Sequence, residues 1–574
     1  MKKYFLVLMS LLAVLSVYSF RYINTEANVV ADQIFINGNI ITMDEKNSIV
    51  EAIAIKAGKI IAVGKTNQLN KFKGRRTVVV DLKGKTMTPG FIDGHSHFVS
   101  LTRSKAIDLS PPPVGNITKI ADIIAVLKRA QKERNIQPGQ WITATRYDPD
   151  QLEEGRHPTK EDLDEAFPDN PVSIGHVSAH MSVVNSYALR ISNITSATKS
   201  PAGGQVVKDE KGEPTGLLFE TAKSLIKIVS SEKAPNLEER LNILDKEQIR
   251  YASFGITTAQ DGSTSMASIN LLKTAADRNR LFIDVAALPN FTALNTIVKE
   301  GKIKIGENFN GLAVKGTKLF TDGSPQGKTA FFTKPYQTEV LGCEEHCTGI
   351  PTTTQKALNE RILFCYENNV QPFVHCNGDA SIDMYINAVK NANKKYPNKS
   401  LALRPTVIHS QFVRPDQLDA YKQLGMVPSF FTNHAFFWGD VHVRNLGEER
   451  AFFLSPLKSA INKNLVFTNH TDFGVTPINQ MFALWTSVAR ESRSGKVIGP
   501  NERVTVMEGL RAITINGAYQ YGEEKQKGSL ETGKIADMLI LSANPLAVEV
   551  SKIKDITVLE TFKNGKSIFK KEGK

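Results

Sequence analysis

In residues 32–88 the segments DQIFINGNIITMD, VEAIAIKAGKIIAVG and TVVVDLKGKTMTPG alternate apolar and polar positions and break at Gly or Asn-Gly. That is the period-two pattern of half-buried strands joined by hairpins. The same texture returns near the other end, in KIADMLILSANPL and ITVLETFKNGKSIFK. Strand-rich ends around a long middle predict that residues 32–88 and 524–574 pair into one small β-sandwich domain. Between them, over 89–523, short apolar runs alternate with amphipathic stretches. The runs include SIGHVSAH, GITTAQDG, TKLFTDG, QPFVHCNGD, PTVIHSQ, GMVPSFF and LVFTNHTD, and the stretches ASIDMYINAVKNANKKY and RPDQLDAYKQL. Repeated β-then-α units predict a parallel sheet, and their number favours a (β/α)8, TIM-like barrel. Residues 140–220 break this rhythm and read as an elaborated region. The expected fold class is α/β.

Composition narrows the function. A chain of 574 residues with 41% hydrophobic and 22% charged residues is an ordinary folded protein. The formal net charge of +13 raises nucleic acid as a partner. The basic residues are dispersed, however, and no nucleic-acid module or arginine-rich tract is present, so that partner is not expected. A small-molecule substrate is, and a homo-oligomer stays open.

At the N-terminus, Lys2 and Lys3 precede an uncharged apolar run over 4–20, the n- and h-regions of a secretory signal. Residues 1–31 are read as that signal, with Val17-Tyr18-Ser19 and Val29-Val30-Ala31 as candidate cleavage sites. The expected location is the periplasm, without stable membrane contact once the signal is removed; an uncleaved N-terminal anchor is the alternative. Of the four cysteines, Cys343 and Cys347 (GCEEHC) could close a small disulfide loop in an exported protein. A metal cluster with His346 is the competing reading. Cys365 and Cys376 fall in core-like segments.

The candidate chemistry starts at PGFIDGHSHF, where His95 and His97 stand one residue apart. Residues i and i+2 of a strand share a face, so both imidazoles could serve one metal ion. The other apolar runs end in Lys318 with Asp322, His375, His409 and Asp472. Barrel enzymes carry their sites at the C-terminal ends of the strands. Imidazole and carboxylate donors suit a divalent ion such as Zn²⁺ with a position left open for water.

The chain resembles the amidohydrolase superfamily, and within it the family-3, YtcJ-like branch, in an exported form. The resemblance is carried by VDLKGKTMTPGFIDGHSH, NPVSIGHVSAHMSVVNSYAL, GTKLFTDGSPQGKTA, VHCNGDASID, VIHSQFVRPDQL, HTDFGVTPINQM and KGSLETGKIADMLILSANPL. It implies a two-ion site, zinc foremost, with a single ion as the alternative. His95, His97 and Asp472 would hold one ion, and His375 and His409 the second. Lys318 matches a lysine that in many relatives is carboxylated and bridges the ions; the competing reading is a cationic lysine paired with Asp322. Asp472 would act as general base toward a metal-bound hydroxide. His180 matches a position near the substrate, where it could donate to an oxyanion. His434 and Trp438 are read as lining the substrate pocket, with core packing as the competing reading, and His470 as a partner of the ligands. His157, His176 and His346 receive no role. Two departures, Lys328 where arginine is frequent and Cys376 where a small residue is usual, touch no expected ligand.

These residues point to a metal-dependent hydrolase of a C–N bond in an amide, N-acyl or cyclic amide. Deamination or C–O hydrolysis at the same site is the second reading, and a non-catalytic small-molecule binder the third.

Overall fold

The computed structural model describes residues 29–99, 106–229, 234–343 and 345–572, so nearly all of the expected signal lies outside the described residues. Two parallel arcs of strands hold the centre. In the first, Leu312–Val314, Asp284–Pro289, Ile256–Thr264 and Phe91–Ile92 lie side by side in that order. In the second, Gly316–Phe320, Gln371–Cys376, Thr406–His409, Val427–Phe430 and Thr468–Asn469 follow in chain order, all parallel. Leu312–Val314 runs into Gly316–Phe320 across Lys315, so one strand passes from arc to arc. The seams are single bridges, Asn290 with Lys318 and Ser96 with Phe473. An unbroken ladder round a closed ring is therefore not seen among the described residues. Pro289 has no N–H to donate where its strand ends, and the strands meeting the second seam, Phe91–Ile92 and Thr468–Asn469, are two residues long.

Helices follow the strands as the periodicity predicts. Pro415–Leu424 shows why: Pro415 opens it, Gln417 caps it by accepting the Arg414 N–H at 2.9 Å, and Gly425 ends it at φ +64°. Pro at the first position and a left-handed Gly just past the last are the ordinary start and stop of a helix. The apolar stripes of Gln355–Glu367, Asp379–Lys395 and Pro415–Leu424 meet in one cluster with Val374 and Val407 from the strands beneath.

SIGHVSAH, expected among the barrel runs, lies elsewhere. Val172–His176 belongs to a mixed six-stranded sheet with Ile107–Asp108, Ile142–Tyr147, Met181–Val184, Pro214–Glu220 and Gly204–Lys208. That sheet begins well before residue 140 and has its own core, including Ile123 and Leu127 of the helix Ile120–Glu133. It brings His180 and Glu220 over the strand ends.

The chain ends share a sheet. Met538–Leu541 pairs antiparallel with Thr86–Pro89, Leu539 opposite Thr88, and Val558–Lys563 and Lys566–Lys570 extend the same sheet. A second sheet, built on Gln33–Ile36 and Ala52–Lys56, contributes to the same apolar cluster: Phe35, Ile53 and Ile55 meet Met87, Met538, Ile540 and Phe562. The Phe35 and Phe562 rings meet edge to face at 5.3 Å. Each of these large side chains is worth about 2 kcal/mol of burial, so the C-terminal strands carry a stability the N-terminal ones cannot replace. Deleting the residues after Gly528 should accordingly yield aggregated or non-cooperatively melting protein, read by size exclusion and thermal circular dichroism. A monodisperse truncation melting within a few degrees of the full chain would contradict this packing.

Candidate active site

All six expected metal ligands converge at the C-terminal ends of the strands. His95 and His97 follow Phe91–Ile92, Lys318 lies within Gly316–Phe320, His375 is the penultimate residue of Gln371–Cys376, His409 ends Thr406–His409, and Asp472 follows Thr468–Asn469. His409 (φ +71°) and Asp472 (φ +48°) both adopt left-handed backbone, a strain of order 1–3 kcal/mol each that persists where surrounding contacts dictate it. Asp472 is held in place by its N–H, which donates to His95 O at 3.1 Å.

The donor atoms face one another. Asp472 Oδ1 lies 3.6 Å from His95 Nε2 and 3.5 Å from His97 Nε2. Lys318 Nζ lies 3.0 Å from His95 Nε2, and His375 Nδ1 lies 3.0 Å from His409 Nε2. His95, His409 and Asp472 offer ligand atoms that all fall within 4.8 Å of one another. All but His97 are buried.

The outer ring nitrogens decide what the inner ones can do. Gln260 Nε2 donates to Gly94 O at 2.8 Å, so Gln260 Oε1 is the atom turned to His95 Nδ1, 2.5 Å away. An amide oxygen only accepts, so His95 carries its proton on Nδ1 and turns the Nε2 lone pair inward. His97 Nδ1 sits 3.2 Å from the Gly262 carbonyl, with the same consequence. His409 Nδ1 is occupied by His470 Nε2 at 3.1 Å, and His470 Nδ1 by Ser429 Oγ at 3.0 Å. His375 Nε2 meets Gly323 O at 3.2 Å and Asn377 Nδ2 at 3.0 Å.

Burial drives the pKa values of His95, His375, His409 and His470 well below the ordinary imidazole range, with the charge of Lys318 adding to the effect. The same desolvation pulls the Lys318 ammonium down to about 7 and raises the Asp472 carboxyl. Asp472 Oδ1 is buried with no hydrogen-bond partner. The inward lone pairs of His95 and His97 beside an unsatisfied carboxylate oxygen form a donor set that a divalent cation would satisfy. The residues fit metal.

Asp322 does not pair with Lys318. It accepts the backbone N–H groups of Asn377, Gly378 and Phe331 at 2.8–3.0 Å, and burial lifts its carboxyl to about 7. His180 and His434 line a narrow cavity of ≈ 20 Å³ with His375, His409 and Asp472. His180 is bound through Nδ1 to Glu220 Oε2 at 2.7 Å, a partner the sequence did not announce. Glu220 ends its strand at φ +49°, which turns its carboxylate toward the site. His434 Nδ1 contacts His442 Nε2 at 3.0 Å. Trp438 does not line this cavity. Its ring packs 4.6 Å from His434 and lines a neighbouring cavity of ≈ 260 Å³, which shares Val475 with the first. Cys343 and Cys347 are disulfide-bonded, and Cys365 and Cys376 are buried free thiols.

Comparisons with known proteins place nearly the whole chain among hydrolases. An N-substituted formamide deformylase of Arthrobacter pascens is 27% identical over 552 residues, covering 94% of this chain and 99% of that protein. The putative amidohydrolase YtcJ of Bacillus subtilis is 27% identical over 557 residues, covering 93% and 98%. The crystal structure of an uncharacterized metal-dependent hydrolase from Pyrococcus furiosus superposes with a TM-score of 0.67 at 25% identity, covering 90% of this chain and 99% of that one. Fold and site together define a metal-dependent hydrolase acting on C–N bonds, with a TIM-barrel-like α/β fold. Residues 78–569 match the amidohydrolase family, and the chain belongs to it.

Gly262 gives a test that removes no ligand. A Cβ placed there would lie 2.7 Å from His95 Cε1, too close for the ring to keep its position. Gly262→Ala should weaken metal retention by at least ~10-fold, the size seen when groups supporting a ligand are disturbed, measured by competition with a chelator. Unchanged retention would show that His95 is not held against metal here.

Proposed function

We propose that the protein hydrolyses the amide bond of an N-formyl or other N-acyl small molecule, or of a cyclic amide, using two divalent cations, zinc foremost. The observation that carries this reading is the unsatisfied Asp472 Oδ1 amid inward imidazole lone pairs. The deformylase relative supports the substrate class. His95, His97 and Asp472 would hold one cation, and His375 and His409 the other. Lys318 would lie between them as a carboxylated amine; a lysine drawn down to about 7 is neutral often enough near neutral pH to add CO₂. When bound, the cations supply Lewis-acid polarisation of the scissile carbonyl and acidify a water.

The chain's own groups account for the proton traffic. Asp472, whose carboxylate is made more basic by burial, accepts the water proton and delivers it to the leaving nitrogen. His180 is oriented by Glu220 at Nδ1, and as an imidazolium, with both ring nitrogens protonated, it would donate from its other nitrogen to the carbonyl oxygen. His434 and Val475 bound the space left for substrate.

The same proposal joins the two arcs into one (β/α)8 barrel and the terminal sheets into a β-sandwich, which the seam bridges and the shared apolar cluster support. It also has the mature chain exported to the periplasm. The basic-then-apolar N-terminus supports this, as does the Cys343–Cys347 disulfide, a bond that persists in oxidising compartments. Among the described residues no helix is long and apolar enough to cross a membrane.

Asp472→Asn should keep the fold and lower formamide or N-acyl turnover by at least ~10²-fold, the usual contribution of a general base. Steady-state kinetics beside a thermal melt read both. Near-normal turnover would remove Asp472 from the proton transfer.

A further inference from the structure

The cavity beside Asp472 carries chemistry that bond hydrolysis does not use. Its ≈ 260 Å³ are walled by Val177, Phe437, Trp438, Phe473, Val475 and Ile478. An apolar cavity of about 150 Å³ already holds benzene, so a ring with a short extension fits. It lies next to the donor cluster: Val475 lines both cavities and its N–H donates to Asp472 O at 2.8 Å.

Four charged residues also line it: Arg146, Arg250, Arg493 and Asp148. Three of them are engaged. Arg250 lies 3.5 Å from Glu247. Arg146 donates to Gly474 O at 3.2 Å and to Asp108 at 3.1 Å. Asp148 accepts from Trp438 Nε1 at 2.9 Å and from the Asp150 N–H at 3.2 Å, and burial lifts its carboxyl to about 7. Arg493 is different. Its guanidinium lies over the Phe437 ring, 5.2 Å from the centroid, and its buried Nε has no hydrogen-bond partner. Asp148 and Asp440 lie within its electrostatic reach, and a planar cation held against an aromatic wall of the cavity matches a further carboxylate, which a guanidinium recognises through charge-assisted hydrogen bonds. Arg146 stands at a bulge in Ile142–Tyr147 with φ +74°, a device that re-aims a side chain, here toward the same cavity.

We propose that this cavity binds the arm of the substrate beyond the scissile bond, and that the arm is an aromatic or branched apolar group ending in a carboxylate read by Arg493. The proposal rests on the amide-hydrolase reading above and narrows its substrate to anionic amides.

The test compares three formamides of one shape on the metal-loaded enzyme: 4-(formamidomethyl)benzoate, its uncharged 4-methyl counterpart, and its cationic 4-aminomethyl counterpart. The ratio of kcat/KM for the benzoate to that for the methyl compound should exceed ~10 and collapse toward one in Arg493→Gln, the size expected for one charge-assisted contact. Arg146→Gln, a second variant in case the first folds poorly, should lower the ratio in the same direction. In parallel, calorimetry with 4-methylbenzoate should show binding to the wild type that Arg493→Gln weakens at least ~10-fold. Turnover of all three formamides without charge preference, or with preference for the cation, would overturn the proposal and leave the hydrolase reading standing. Arg493-dependent binding of 4-methylbenzoate without turnover of any formamide would support the carboxylate site and remove the formamide reading instead.

Discussion

The architecture converges on the inward lone pairs of His95 and His97 and on an unsatisfied Asp472 oxygen. Because Gln260 Nε2 is committed to the Gly94 carbonyl, its oxygen must accept from His95 Nδ1, and His95 Nε2 is left to face Asp472 and Lys318. The Gly262 carbonyl does the same for His97. In a site where burial keeps the imidazoles neutral, such an arrangement is unfavourable by itself and favourable around cations. The left-handed backbone at His409 and Asp472 belongs to the same economy, since both residues are turned inward at the ends of their strands.

The scaffold holds those atoms by distributing them. Each ligand comes from a different strand end, apart from the His95–His97 pair, so no local rearrangement can relieve the crowding. The mixed six-stranded sheet roofs the strand ends and delivers the His180–Glu220 pair, while the paired chain ends brace the strand that leads into PGFIDGHSH. The adjoining apolar cavity, with Arg493 on its wall, lies beside the donor cluster and shares Val475 with it.

Much of this was legible along the chain because it depends on local spacing. The i, i+2 pair at His95 and His97, the polar residues closing apolar runs, and the matching strand texture of the two ends all survive as local patterns. His470 could be singled out from its place two residues before Asp472. What could not be read depends on contacts between distant segments. Gln260 and Gly262 lie 165 residues from the histidines they orient. Glu220 lies 40 residues from His180, and nothing in GLLFETA marks it as a partner. Asp322, four residues after Lys318, reads as its counter-ion, but the turn beyond the strand carries it to the backbone N–H groups of Asn377 and Gly378. SIGHVSAH has the texture of a barrel strand and belongs to the inserted sheet, because a short buried apolar run does not reveal which sheet it joins. Arg493 follows a helix in a polar stretch, where only tertiary packing shows that its Nε lacks a partner.

The central claim is that this donor set exists to hold metal, and elemental analysis of the purified protein tests it most directly. The account predicts about two equivalents of zinc or a similar divalent ion per chain, falling sharply when His95 and His97 are both replaced by alanine. A protein that carries no metal, even after reconstitution, and is unchanged by those replacements would contradict it.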